Sequence, residues 1–136
     1  MTKPYSADEL DRLLAGLVRR MDSVNGAVVL SRDGMLVASS GLGREDAEHL
    51  AALVSGFQGL SRGACHRFGG GELLQTVVEM DDIFLFMVAA GEDTYLAVVS
   101  RADGDAGTVA YEMAELAERL GEGLPADPRL SGTGVG

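Results

Sequence analysis

Three strand-like runs crowded between Leu73 and Val99 constrain this chain more than any other feature. Leu73 to Met80 mixes apolar residues with Gln75, Thr76 and Glu79, Ile83 to Ala90 is apolar throughout, and Tyr95 to Val99 is apolar again. Asp81-Asp82 and Gly91-Glu92-Asp93 turn the chain between them. A parallel crossover needs a dozen or more residues, so connections this short dictate an antiparallel meander. The unbroken apolarity of the middle run predicts a strand covered on both faces.

The flanking segments supply the covers. Ser6 followed by Glu9 forms a capping box, a local signal for a helix start. Leu10, Leu13, Leu14, Leu17, Val18 and Met21 then recur at helical spacing as one apolar stripe. Asn25-Gly26 breaks that pattern, and Ala27 to Leu30 reads as a short strand. Ser31-Arg32-Asp33-Gly34 is the polar, Gly-ended turn of a hairpin, and Met35 to Ser40 returns as a second strand. Beyond the meander, a last helix starts near Gly104 or Asp105 and buries Val109, Met113, Leu116, Ala117 and Leu120. Glu115 and Arg119 are spaced to pair along it, and Gly121 is expected to stop it. Residues 1–5 read as a lead and 6–121 as a single domain. Residues 122–136, rich in Gly, Pro, Ser and Asp, are expected to be disordered.

Between the two strand groups lies a long helix, from about Arg44 to about Arg67. Glu45 and Asp46 in its first turn, and His66 and Arg67 in its last, complement the helix dipole. Gly69-Gly70-Gly71 ends it. At 1.5 Å per residue such a helix is roughly 35 Å long, a large span for a small domain. Ala47, Leu50, Ala51, Val54, Phe57 and Ala64 form a stripe expected to face the core. Ala52, Gly56, Gly59 and Gly63 form a second seam of small residues, flanked by Leu53 and Leu60. Each interior glycine costs roughly 1 kcal/mol relative to alanine, so close approach by another element should offset the cost. Both a second subunit and loose packing on the chain's own sheet meet that need.

Composition excludes several functions. The 136 residues suit one domain, and with 46% hydrophobic residues but no Trp the core must be built from Leu, Val, Ala and Met. Eleven basic against twenty-one acidic residues give a net charge of −10. Phosphate backbones and anionic lipid surfaces would repel such a chain, so neither nucleic acid nor membrane insertion is expected. A solvated surface accounts for the charge, and an electropositive protein partner would exploit it. The lone Cys65 rules out an intrachain disulfide. The start Met-Thr-Lys-Pro-Tyr shows no secretory pattern, and the longest apolar run, Ile83 to Ala90, is far short of a bilayer span. A cytoplasmic location is therefore expected.

Catalytic constellations are thin. Cys65-His66 are adjacent on a helix and so point about 100° apart; a packed cysteine beside an exposed histidine is the simpler account. Asp81-Asp82 are turn residues. His49 and Glu45 make an incomplete metal set. Gly69-Gly70-Gly71 follows a helix and lacks the Lys and Ser/Thr of a phosphate loop. Neither a cofactor, a metal nor enzymatic activity is expected.

The order helix-strand-strand-helix-strand-strand-strand-helix predicts a five-stranded antiparallel sheet layered with helices, an α/β sandwich of profilin-like type. Over residues 8–121 the chain resembles the roadblock/dynein light chain family. Val24-Asn25-Gly26-Ala27, Ser31-Arg32-Asp33-Gly34, Leu36-Val37-Ala38-Ser39-Ser40-Gly41, Ala47-Glu48-His49-Leu50-Ala51-Ala52-Leu53 and the Ile83 to Ala90 strand carry that resemblance through their order and spacing. It implies a non-enzymatic adaptor that dimerises through the long helix and the neighbouring edge strand, as a homodimer or a heterodimer. It further implies, for bacterial members, partnership with a Ras-like small GTPase whose nucleotide cycle is regulated in signalling. The Gly-, Arg- and Ala-rich composition points to a bacterial source. Carried onto this chain, the self-pairing surface comprises Leu53, Gly56, Leu60 and Gly63 on the helix with Leu73, Gln75 and Val77 on the edge strand. Arg32 and Arg62 are candidate partner contacts, although no dedicated arginine finger is expected. The alternative is a small-ligand-sensing domain, which requires a pocket with convergent polar groups; the apolar sheet interior predicts a filled core instead.

Overall fold

The computed structural model describes residues 5–123, and its elements follow the expected order. They are α1 (Ala7–Arg20), β1 (Val24–Ser31), β2 (Leu36–Ser40), α2 (Arg44–Arg67), β3 (Thr76–Glu79), β4 (Ile83–Ala89), β5 (Thr94–Arg101) and α3 (Ala106–Gly123). The meander β3–β4–β5 forms as its short turns require, and β1 adds antiparallel to β5. The resulting order is β2-β1-β5-β4-β3, with β2 and β3 at the edges.

Strand alternation divides the core into two layers. Val28, Leu30, Leu85, Met87, Tyr95 and Ala97 face α2, meeting its Ala47, Leu50, Ala51 and Val54. Ala27, Val29, Phe86, Val88, Leu96 and Val98 face the opposite way, onto α1 and α3. Leu14 and Leu17 of α1 and Met113 and Leu120 of α3 are wholly buried there. Burying one such side chain stabilises by roughly 1.5–3 kcal/mol, an upper estimate because the unfolded chain is itself partly collapsed. All five residues expected on the inner face of α3 are buried.

Local chemistry sets the helix starts. At α1, the Glu9 amide donates to Ser6 Oγ at 3.1 Å and the Ser6 amide donates back to Glu9 Oε1 at 3.0 Å. At α3, Asp105 accepts from the Thr108 amide at 3.2 Å and from its hydroxyl at 2.9 Å. Arg20 and Glu112, 3.1 Å apart, link the two helices at their exposed rims.

Several boundaries differ from the sequence reading. Asn25-Gly26 does not precede β1; pairing with β5 absorbs the two residues as an irregularity between Val24 and Gly26. Gly121 does not end α3, which continues to Gly123. Instead a Cβ at Gly121 would lie 3.2 Å from the Gly91 amide nitrogen, so glycine lets the helix pass close to the β4–β5 turn. Glu115 accepts from the Tyr111 hydroxyl at 2.8 Å rather than pairing with Arg119. The expected tail begins inside α3, and its remainder lies outside the described residues.

Candidate functional site

The seam of small residues on α2 faces away from the sheet. Ala52, Gly56 and Gly63 are exposed, and a Cβ added at Gly56 or Gly63 would meet nothing within 4 Å. Packing on the chain's own sheet therefore does not account for these glycines. Leu53, Leu60 and Phe68 are exposed at 48%, 78% and 82%, an apolar display that a lone chain would not favour.

Beside α2 runs the free edge of the sheet. β3 is shorter than expected: Leu73 and Gln75 precede it, and only Thr76–Glu79 pair with β4. After Phe68 the chain must turn back toward the sheet through Gly69 and Gly71, both at positive φ, and residues 72–75 complete that traverse. Val77 lies opposite Phe86 of the α1–α3 layer, while Val78 packs toward α2. Val77 is thus on the sheet face opposite the α2 seam, not on one surface with Leu53 and Leu60. Among the described residues the outward backbone groups of β3 have no neighbouring strand, the condition that invites strand pairing.

The core stripe of α2 also ends differently. Ala64 is exposed, Phe57 is half-buried, and Gln58 takes the inner position at 1% exposure. Gln58 and Arg62, one turn apart, lead into a cavity of about 520 Å³, which Arg32 and Tyr95 also line. The Arg62 guanidinium sits 5.5 Å from the centre of the Tyr95 ring. Its Nη1, and Gln58 Oε1, are buried with no hydrogen-bond partner among the described residues. Burial, with the like charge of Arg32 nearby, pulls the Arg62 pKa below its usual value. Glu72, Glu92, Cys65 and His66 also line the cavity.

The two arginines named from sequence thus converge on one cavity. Arg62 is half-buried, with its Nη1 withdrawn from solvent, and the space beneath α2 is not wholly filled. The signal lay in the stripe itself: Ala47, Ala51, Val54 and Gln58 continue at helical spacing to Arg62, with polar residues where apolar ones would extend the core.

Among the described residues no cluster of three His, Cys, Asp or Glu side chains could hold a metal. No helix among them is long and apolar enough to cross a membrane.

Residues 10–100 match the model of the Roadblock/LC7 domain. The chain belongs to the Roadblock/LC7 family. It is 32% identical over 111 residues to an uncharacterized protein of Methanocaldococcus jannaschii, covering 82% of this chain and 96% of that one. The crystal structure of a Roadblock/LC7 domain from Streptomyces avermitilis superposes with a TM-score of 0.78 at 44% identity, covering 81% of this chain and 92% of the other. Myxococcus xanthus MglB has the same fold, with a TM-score of 0.78 at 19% identity over 86% of this chain and 95% of its own. Acanthamoeba castellanii profilin IA, at TM-score 0.52 and 16% identity over 82% of this chain and 95% of its own, bears out the profilin-like architecture.

Proposed function

We propose that this Roadblock/LC7 protein is a non-enzymatic dimeric scaffold that binds a Ras-like small GTPase and modulates its nucleotide cycle. The observation that carries the reading is the exposed seam on α2. Glycines whose missing Cβ atoms would touch nothing among the described residues stand among exposed Leu53, Leu60 and Phe68. A two-fold axis brings such a seam against its own copy and converts the cost of helical glycine into close backbone contact. The neighbouring β3 edge supplies strand pairing across the same axis, through its backbone rather than through Val77.

Family resemblance supports the GTPase partner. Arg62, held over Tyr95 inside a cavity, is poorly placed to reach into another protein's active site. Modulation without a dedicated arginine, by ordering the GTPase's own switch loops, is the mode this reading assigns.

Light scattering of the wild type and of Gly56→Leu tests the pairing surface; a dimer mass is expected for the first and a monomer for the second. An unchanged mass rejects the seam as the interface. Pull-down and turnover of a Ras-like GTPase, with and without the scaffold, test the partner. Absence of both binding and any change in hydrolysis or exchange removes the GTPase reading.

A further inference from the structure

The cavity beneath the C-terminal half of α2 contains an unusual pair of unmet demands. Among the described residues, Arg62 Nη1 is a buried donor without an acceptor, and Gln58 Oε1 is a buried acceptor without a donor. Leaving such groups unpaired costs about 1–3 kcal/mol each, more for a charged one. Among the described residues no carboxylate forms an ion pair with Arg62, whereas Arg32 has Asp93 at 4.0 Å. A packing defect would be apolar and closed; this space is open, lined by Arg32, Gln58, Arg62 and Glu92 as well as Leu73 and Tyr95, and about 520 Å³ in volume, within the range of small-molecule sites.

We propose that the cavity binds a free α-amino acid, with its carboxylate against the Arg62 and Arg32 guanidinium groups and its ammonium donating to Gln58 Oε1. A ligand that carries both an anionic acceptor and a donor, as an α-amino acid does, meets both demands at once. Glu72 and Glu92 in the lining favour the ammonium and repel a multiply charged anion such as phosphate. Leu73 and Tyr95 give the ligand side chain an apolar wall. Arg62, already oriented over the Tyr95 ring, keeps its planar fork available for a carboxylate. All its residues belong to one chain, although Leu73 is shared with the expected pairing surface.

The test is an NMR titration of the full chain, following the Gln58 side-chain amide and the Arg62 guanidinium. The probes are glycine, L-alanine and L-leucine at millimolar concentration, with acetate and methylammonium at matched ionic strength. Saturable shifts with the amino acids, and affinity at least about tenfold weaker for each half-molecule, are expected; one lost charge-assisted hydrogen bond accounts for such a factor. Arg62→Lys keeps the charge but not the fork and weakens binding by about tenfold, and Gln58→Met abolishes the preference for amino acid over acetate. No shift with any amino acid overturns the proposal. So does an equal response to acetate, which needs no variant to fold. Light scattering of the same samples keeps this outcome separate from that of the pairing surface.

Discussion

Ser55 on α2 donates its hydroxyl to the backbone carbonyl of Arg32 at 2.9 Å, pinning the tip of the β1–β2 hairpin to the helix. The contact spans residues far apart in sequence, and the Arg32 side chain, 4.0 Å from Asp93, lines the cavity with Arg62. Ser55→Ala removes one hydrogen bond, with a net cost of about 1 kcal/mol. Hydrogen exchange at the hairpin amides should rise while the β4–β5 amides stay protected. Unchanged exchange at residues 31–35 would show that the strands hold the hairpin unaided.

Two glycines should respond to alanine in opposite directions. Gly41 has φ +83°, and a Cβ there would lie 2.4 Å from the Asn25 carbonyl oxygen. Gly41→Ala therefore combines a left-handed backbone with a clash and should cost about 2 kcal/mol or more. Gly56 sits in a regular helix facing open space. In an isolated chain Gly56→Ala should stabilise by about 1 kcal/mol through helix propensity. In a close-packed dimer it should weaken association instead, so urea unfolding across a range of protein concentrations separates the two effects.

Much of the architecture was legible because its determinants are local. Ser6 and Glu9 announce a helix start by chemistry within one turn, and α2 begins and ends at the expected Arg44 and Arg67. The misread boundaries are those that tertiary contacts decide. Asn25-Gly26 looks like a turn in isolation, yet pairing with β5 holds it within a strand. Leu73 and Gln75 look like strand residues, yet the path from the helix end to the sheet consumes them. Gln58 occupied a core position that the pattern itself marked, and skipping it for Ala64 hid the cavity. That Arg32 and Arg62 meet was not legible, because it depends on Ser55 and Tyr95 holding distant segments together.

Acid should weaken the start of α3 through Asp105. Hydrogen bonds from the Thr108 amide and hydroxyl stabilise its carboxylate and hold its pKa below the ordinary value. A folded-state pKa below the unfolded one means the contribution is full above the ordinary carboxylate range. It is lost as pH falls through the lower folded value. Asp105→Asn caps without titrating. The stability difference between wild type and this variant should therefore be constant near neutrality and shift toward the variant in acid. Parallel stability curves down to the lowest pH at which both fold would exclude this role for Asp105.

Gln58 offers the sharpest test of whether the cavity carries a cost in the free chain. Its side chain is 1% exposed and its Oε1 has no partner, while the neighbouring stripe positions, Val54 and Ala51, are apolar and buried. Leucine has a similar volume and no polar atom to desolvate. Gln58→Leu should therefore raise the unfolding free energy by about 1 to 3 kcal/mol, measured in urea without added ligand. Saturating amino acid should narrow the gap, since ligand stabilises only the chain that binds it. A Gln58→Leu chain less stable than the wild type would mean that the amide holds the fold together, and that the unpaired oxygen is not the liability it is taken for.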